Sequence, residues 1–167
     1  MPGFPALSVR QPLPFDIVDE PVEVAGVGTA FEAVAGARLR DGNGNELTSI
    51  SITVGGTGTW ANFRFSISAG GVSPTPQGTL ELFEHSGADG SEIGTVVIPI
   101  TLGPNLMAPD DYHGFAQYEV VAGDTLSAIA QTWYGNVTLW PRIYEANRNQ
   151  IMDPNLIFVG QVLRIPQ

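Results

Sequence analysis

The composition of this 167-residue chain is that of a packed globular protein, since 43% of the residues are hydrophobic and only 14% are charged. Its basic residues are seven arginines against seventeen acidic residues, and the formal charge of −10 disfavours nucleic acid and anionic lipid surfaces as partners. The absence of cysteine excludes disulfides, thiolate nucleophiles and cysteine metal sites. We see neither a signal-peptide core nor the roughly 20 consecutive apolar residues of a membrane span. The sequence alone does not decide between the bacterial cell envelope and the cytoplasm.

The first hundred residues predict short strands separated by turns. Ile50, Ile52 and Val54 alternate with polar residues, as they do on one face of a half-buried strand. Asp41-Gly42-Asn43-Gly44 is a strong hairpin-turn signal. The predicted strands are residues 22–27, an extended stretch at 31–40 that is broken near Gly36, and residues 47–54, 60–68, 79–84 and 94–102. Around seven short strands at this spacing predict an all-β sandwich of the immunoglobulin type.

This pattern ends in a segment with neither a strand nor a helix period, residues 103–114, which contains Pro104 and Pro109. We interpret it as an interdomain linker. The predicted organisation is an N-terminal extension (1–13), a β-sandwich (14–103), a linker (104–116) and a second, smaller domain (117–167).

The second domain predicts two strands around two helices. After a short strand at 118–121, apolar residues recur at helical spacing from Leu126 to Trp133, with Asp124 or Thr125 as the N-cap and Gly135 at the end. A further helix is predicted with Thr138 as its cap and Pro141 in its first turn.

Asn147 or Asn149 is expected to end this second helix, and Trp140, Ile143 and Tyr144 to form its buried face. A last strand at 162–165 completes a small α+β domain of the order βααβ.

This second domain closely resembles LysM domains. The residues that carry the resemblance are 118–130, Trp133-Tyr134-Gly135, 143–147 and 153–166, which together span it from end to end. The resemblance implies binding of N-acetylglucosamine units of peptidoglycan or another such polymer, in a groove between the loop after the first strand and the loop before the last. Carried over to this chain, the implied glycan-binding residues are Gly123, Asp124, Thr125, Leu126, Asn155, Leu156, Ile157 and Phe158.

The first domain resembles the immunoglobulin-like domain of bacterial spore-germination and sporulation proteins. The residues that carry this resemblance are 24–32, 40–44, 60–65 and 82–90. They determine a fold more than an activity. The resemblance implies a module that binds another protein in an envelope or sporulation assembly.

An alternative stays open for the second domain. The pattern of Trp133-Tyr134-Gly135, Leu139-Trp140 and residues 143–147 also resembles the LysM module of a cytoplasmic potassium-binding protein. Similar modules occur in phage-tail and contractile-injection proteins. This second resemblance implies that the chain is an intracellular scaffold or assembly component, whose LysM domain contacts protein rather than glycan.

Candidate catalytic chemistry is sparse. His85 shares one polar loop with Ser86 and Asp89, whereas a nucleophile triad needs positions that a rigid fold brings together. The loop at 41–45 resembles the start of a calcium loop but lacks the glycine and the terminal acid of an EF-hand, since Glu46 and Ile52 stand at those positions. We expect no enzyme activity, no cofactor and no metal site.

Overall fold

The computed structural model describes residues 6–71, 73–107 and 112–167. Within these residues, eight strands precede a smaller unit of the order strand, helix, helix, strand. The strands are β1 (Leu7–Gln11), β2 (Asp16–Val18), β3 (Val22–Gly28), β4 (Val34–Asp41), β5 (Glu46–Thr53), β6 (Ala61–Ile67), β7 (Gln77–His85), β8 (Glu92–Leu102), β9 (Phe115–Glu119) and β10 (Val162–Pro166), and the helices are α1 (Leu126–Tyr134) and α2 (Trp140–Ala146). The predicted combination of an all-β sandwich and a small α+β domain is confirmed.

Two sheets of the described residues form the sandwich. One has the strand order β1-β3-β6 and the other β2-β8-β7-β4-β5, and all neighbours are antiparallel except β2 and β8. Alternate side chains of each sheet point between the sheets, so Val22 and Val24 of β3 share one core with Leu80 and Leu82 of β7.

The first strand revises the predicted start of the sandwich. β1 lies within residues 1–13, which the sequence assigned to an extension, yet it pairs antiparallel with β3 and buries Leu7 in the core. Its alternation is hard to see in sequence because the strand is short, carries Arg10 and meets Pro12 at its end. We therefore propose that the sandwich begins at β1. Residues 1–5 of the predicted extension and 108–111 of the predicted linker lie outside the described residues.

The predicted strand at 31–40 is wrong for its first three residues. Phe31–Ala33 forms a 3-10 turn, in which the amide of Ala33 donates to the carbonyl of Ala30 at 3.2 Å. Glu32 and Ala33 adopt positive φ angles of 54° and 61°, a conformation that a strand cannot contain. The extended backbone starts at Val34, with β4.

Charged residues on the outer face of the larger sheet are paired with one another. The guanidinium of Arg38 donates to the carboxylates of Glu81 and Glu92 and lies 4.5 Å from the centre of the Phe83 ring. Burial would raise the pKa of Glu81, but hydrogen bonds from Arg38 and Arg40 outweigh that effect and lower it. The charges of this cluster are thus largely satisfied within the sandwich.

The smaller domain packs α1 and α2 over the antiparallel pair β9–β10. The side chain of Thr125 caps α1, and Gly135 ends it with a left-handed φ of 67°, as predicted. The predicted cap at Thr138 is wrong. Asn136 provides the cap for a 3-10 turn at Val137–Leu139, because its Oδ1 accepts from the amide of Thr138 at 2.9 Å, and α2 then begins at Trp140.

Side chains of Arg164 and Gln77 join the domains directly within the described residues. Arg164 of β10 donates from Nη1 to the carbonyl of Phe15 at 2.6 Å. Gln77 of β7 donates from Nε2 to the backbone carbonyl of Glu145 at 3.0 Å and to its carboxylate at 3.1 Å. The ring of Tyr112, in the connecting segment, lies so close to Gly103 that a Cβ there would be 2.4 Å from it. These contacts place β10 and α2 against the sandwich.

Candidate functional site

A groove of about 390 Å³ opens on the smaller domain, between the start of α1 and the loop before β10. Its volume falls in the range of about 300–1,000 Å³ in which small-molecule sites occur. The residues that line it are Asp124, Thr125, Leu126, Ser127, Trp140, Pro154, Asn155 and Ile157. The lining thus combines apolar surface with hydroxyl, amide and carboxylate groups.

The first wall of the groove, residues 124–127, is the N-terminus of α1. Thr125 Oγ1 accepts from the amide of Ala128 at 3.1 Å and so satisfies one of the free amides of the first turn. Asp124 Oδ2 accepts from the hydroxyl of Tyr118 at 2.7 Å and from the amide of Val121 at 2.9 Å, which fixes the loop after β9. Leu126 is buried in the domain core. Each of these residues therefore supports the fold as well as the groove.

The second wall, residues 154–157, belongs to a loop without regular secondary structure. Asp153 Oδ1 accepts from both the amide and the Nδ2 of Asn155, at 2.9 and 3.0 Å. Ile157 packs against the domain core, whereas Leu156 and Phe158 are 57% and 67% exposed. Successive side chains of this segment thus point to opposite sides, and the one at 157 enters the groove.

A chain of hydrogen bonds ties the second wall to a buried amide. Phe158 donates from its backbone to Gln161 Oε1 at 3.0 Å, and Gln161 reaches Gln150, whose Nε2 donates to Asn147 Oδ1 at 3.1 Å. Asn147 is fully buried, and its Nδ2 also donates to the carbonyls of Ile143 and Arg164 at 2.7 Å. The residue predicted only to end α2 therefore joins α2, β10 and the second wall.

The structure brings five of the eight sequence-predicted residues together. Asp124, Thr125, Leu126, Asn155 and Ile157 line the groove. Gly123, Leu156 and Phe158 do not belong to its lining. Gly123 acts through its backbone, since its φ of 92° turns the chain into the first wall. A sugar contact by Leu156 or Phe158 stays a prediction.

Three lining residues, Ser127, Trp140 and Pro154, escaped the sequence reasoning. The sequence places Trp140 only in the buried face of α2, but it is half-buried and lines the groove. A signal existed, because Trp140 starts the helix beside Pro141, and a first-turn side chain is less completely covered than one in a helix centre.

Comparison with known families agrees with both parts of the fold. The LysM domain family matches residues 118–166. A second family, described as the immunoglobulin-like domain of bacterial spore germination, matches residues 6–91, which are just over half of the chain. The chain belongs to this immunoglobulin-like family. It carries a LysM domain on the C-terminal side of the family domain, and the LysM domain suggests binding to peptidoglycan or a related glycan.

Several curated proteins are similar over part of their length. The potassium binding protein Kbp of Escherichia coli O6:H1 is 52% identical over 50 residues, which are 30% of this chain and 34% of the relative. Esterase Rv1288 of Mycobacterium tuberculosis is 50% identical over 66 residues, 40% of this chain and 13% of the esterase. A protein of Deinococcus radiodurans is 44% identical over 57 residues, 34% of this chain and 22% of that protein. The chain thus spans about a third or less of each of these relatives.

Both matched families are binding domains, which suggests a protein without catalytic activity, and similarity to 13% of an esterase does not establish catalysis. His85 Nδ1 lies 3.3 Å from the carbonyl of Gly90, whereas the carboxylate of Asp89 accepts from Ser91. The hydrogen bonds from Ser91 lower the pKa of Asp89.

Across 6–71, 73–107 and 112–167, no group of three or more His, Cys, Asp or Glu residues is placed to hold a metal ion. No helix in the same ranges is long and apolar enough to cross a membrane.

Proposed function

We propose that the chain is a non-catalytic binding protein that holds N-acetylglucosamine-containing polymers, with peptidoglycan as the leading candidate, in the groove of its LysM domain. The observation that carries the proposal is the coincidence of the LysM match over residues 118–166 with a preformed groove of ligand size. The β-sandwich would then contact a protein of the bacterial envelope or of the sporulation apparatus.

The chemistry of the groove suits a neutral sugar. Leu126, Trp140 and Ile157 offer apolar surface to an acetyl methyl group or to a sugar-ring face. The free amides at the start of α1 and the side-chain amide of Asn155 offer hydrogen-bond partners for the N-acetyl group and the hydroxyls. None of the described residues that line the groove is basic, so this lining offers no cation to a phosphate or a carboxylate.

A single open groove is expected to bind each sugar segment weakly. Tight retention on a polymer then requires several grooves that act together, because linked binding sites raise the effective concentration of the second contact. We therefore propose that the protein works on insoluble glycan as one of several copies.

The proposal is tested by sedimenting the purified chain with insoluble peptidoglycan and with chitin, with and without soluble N-acetylglucosamine oligomers. The test variant is Ile157→Asp, which places a charge in the groove, and the matched control is Val159→Asp, two residues away, 70% exposed and outside the lining. We expect wild type and Val159→Asp to sediment with the polymer, and the oligomers or Ile157→Asp to release the protein. Equal loss in both variants, or a folded wild type that stays in solution with both polymers, would refute the proposal.

A second candidate is an intracellular assembly component whose LysM domain contacts protein. It is favoured by the apolar side chains of Leu156, Phe158 and Val159, which are exposed on the outer side of the second wall. In the same sedimentation test, this candidate predicts a folded protein that neither polymer retains.

A further inference from the structure

The sandwich leaves one long strand edge open. Among the described residues, β5 has a hydrogen-bonded neighbour, β4, on one side only and forms the end of the larger sheet. Ser49, Ser51 and Thr53 are exposed on it. A free edge presents unpaired amides and carbonyls, and natural proteins usually protect such edges against pairing with another chain.

The other edges of the sandwich carry such protection. β2 has only three residues. β1 contains a register shift between Val9 and Gln11 and carries Arg10. β6 carries Arg64, whose side chain is 80% exposed. By contrast, β5 pairs regularly with β4 from Thr48 to Thr53 and contains neither proline nor a charged residue over that stretch.

The direction of the free hydrogen-bonding groups follows from the pairing with β4. The amide of Val54 donates to the carbonyl of Ala33 at 2.9 Å, on the β4 side. Because hydrogen-bonding direction alternates along an antiparallel strand, the amides of Ile50 and Ile52 also face β4, and those of Ser49, Ser51 and Thr53 face outward.

We propose that β5 pairs antiparallel with β5 of a second copy of this chain, about a twofold axis at Ser51. The sequence of the strand is self-complementary in this register. Ser51 lies opposite its own counterpart and Ser49 opposite Thr53, so hydroxyl-bearing residues with outward amides face one another and form about six hydrogen bonds. Ile50 lies opposite Ile52 on the core side, where the contact covers the part of Ile50 that is exposed in one copy.

The ends of the strand also tolerate this register. Glu46, the one charged residue of β5, falls opposite Gly56 of the second copy, away from any acidic residue of β5. The pairing joins the two larger sheets into one continuous sheet and gives the assembly two LysM grooves. Since a single strand pair is a small interface and each copy carries a formal charge of −10, we expect a dissociable dimer that salt strengthens.

The test is sedimentation equilibrium of the full chain at concentrations from about 1 μM to 1 mM, in low salt and in about 0.5 M salt. The test variant is Ser51→Lys, which sets two like charges against each other at the twofold axis. The control is Ser66→Lys, the same change at an exposed serine of β6. Both variants reduce the net negative charge equally, so general repulsion between copies falls equally in both.

We expect wild type and Ser66→Lys to dimerise, and Ser51→Lys to raise the dissociation constant by about tenfold or more. A monomeric wild type throughout the concentration range would overturn the proposal, as would equal dimerisation of the two variants.

Hydrogen exchange of the wild type gives a second test that needs no variant. The amides of Ser49, Ser51 and Thr53 are expected to become protected as protein concentration rises, while those of Ile50 and Ile52, which face β4, stay protected at every concentration. Outward amides that exchange freely at concentrations where the protein is dimeric would place the interface elsewhere and overturn the proposal.

Discussion

The two walls of the groove are held in place in different ways. In the first wall, Asp124 and Thr125 use their side-chain oxygens to fix the loop after β9 and the start of α1. In the second wall, the side chain of Asn155 has one partner among the described residues, the carboxylate of Asp153. Gln161, Gln150 and Asn147 support this wall through the backbone amide of Phe158. A substitution in the first wall therefore changes folding and binding together, whereas Asn155 in the second wall, which is not part of the core, allows the two to be separated.

Removing the support behind the second wall should destabilise the protein most. Asn147→Ala leaves the buried carbonyl of Ile143 and both backbone groups of Arg164 without their side-chain partner, and we expect it to destabilise the LysM domain by about 2–4 kcal/mol. Urea denaturation followed by circular dichroism measures the loss. Asn149→Ala, an exposed neighbour, is the control and should unfold like wild type. Equal stability of the two variants would contradict the role of Asn147.

The first wall gives the next effect. Thr125→Ala removes the N-cap of α1 and should cost about 1 kcal/mol of stability, and we expect weaker glycan binding as well. Thr125→Ser retains a hydroxyl at the cap and should recover most of both. Thermal unfolding and polymer sedimentation measure the two effects, and an alanine variant that loses binding at wild-type stability would show that the wall residues do not have a shared role.

Alkaline pH should loosen the first wall through the far end of its helix. Tyr134, the last residue of α1, donates its hydroxyl to the carbonyl of Pro166 at 3.0 Å, and burial raises its pKa to about 12, although Arg142 lowers it. Burial and the negative charge of Asp19 likewise raise the pKa of Tyr112 to about 12, although the positive charge of Arg164 acts to lower it. In the unfolded chain these tyrosines ionise near pH 10. The stability that their neutral hydroxyls contribute should therefore be fully present below pH 10 and be lost as the pH rises towards 12. Tyr134→Phe should reduce this fall, and an unchanged pH profile in that variant would contradict the assignment.

The smallest expected effect sharpens the boundary of the second wall. Phe158 is 67% exposed and lies outside the groove lining, so Phe158→Ala should change glycan affinity by less than about twofold and stability by less than about 0.5 kcal/mol. Isothermal titration with an N-acetylglucosamine oligomer measures the affinity. A large loss would place Phe158 in contact with sugar, as the LysM resemblance implied, and would extend the site beyond the groove.

Sequence reasoning found the elements that local periodicity encodes. The two-residue alternation of β5 and β6 and the helical spacing of Leu126, Ile129 and Ala130 are properties of neighbouring residues, so they could be recognised without the fold. β1 could not, because its assignment depends on pairing with β3, which lies outside its own sequence. The parallel pairing of β2 with β8 depends in the same way on residues about eighty positions apart.

The same distinction between local pattern and tertiary packing applies to the residues of the groove. Thr125 and Ile157 were predicted because each lies within a recognisable local motif. Trp140 was missed as a lining residue because its position depends on how α2 packs against α1. The cap at Thr138 is a different kind of error, because Asn136 stands only two residues earlier and asparagine is itself a preferred N-cap residue, so the local pattern offered both positions.

The most direct test of the central claim is a nuclear magnetic resonance titration of the full chain with a soluble N-acetylglucosamine oligomer. We predict amide shifts that saturate together in both walls, at Thr125, Ser127, Asn155 and Ile157, and at the indole of Trp140. The outward amides of β5 should not shift at a constant protein concentration. Shifts confined to one wall or to the sandwich, or no shifts from a folded protein at millimolar oligomer, would contradict the claim that this groove binds glycan.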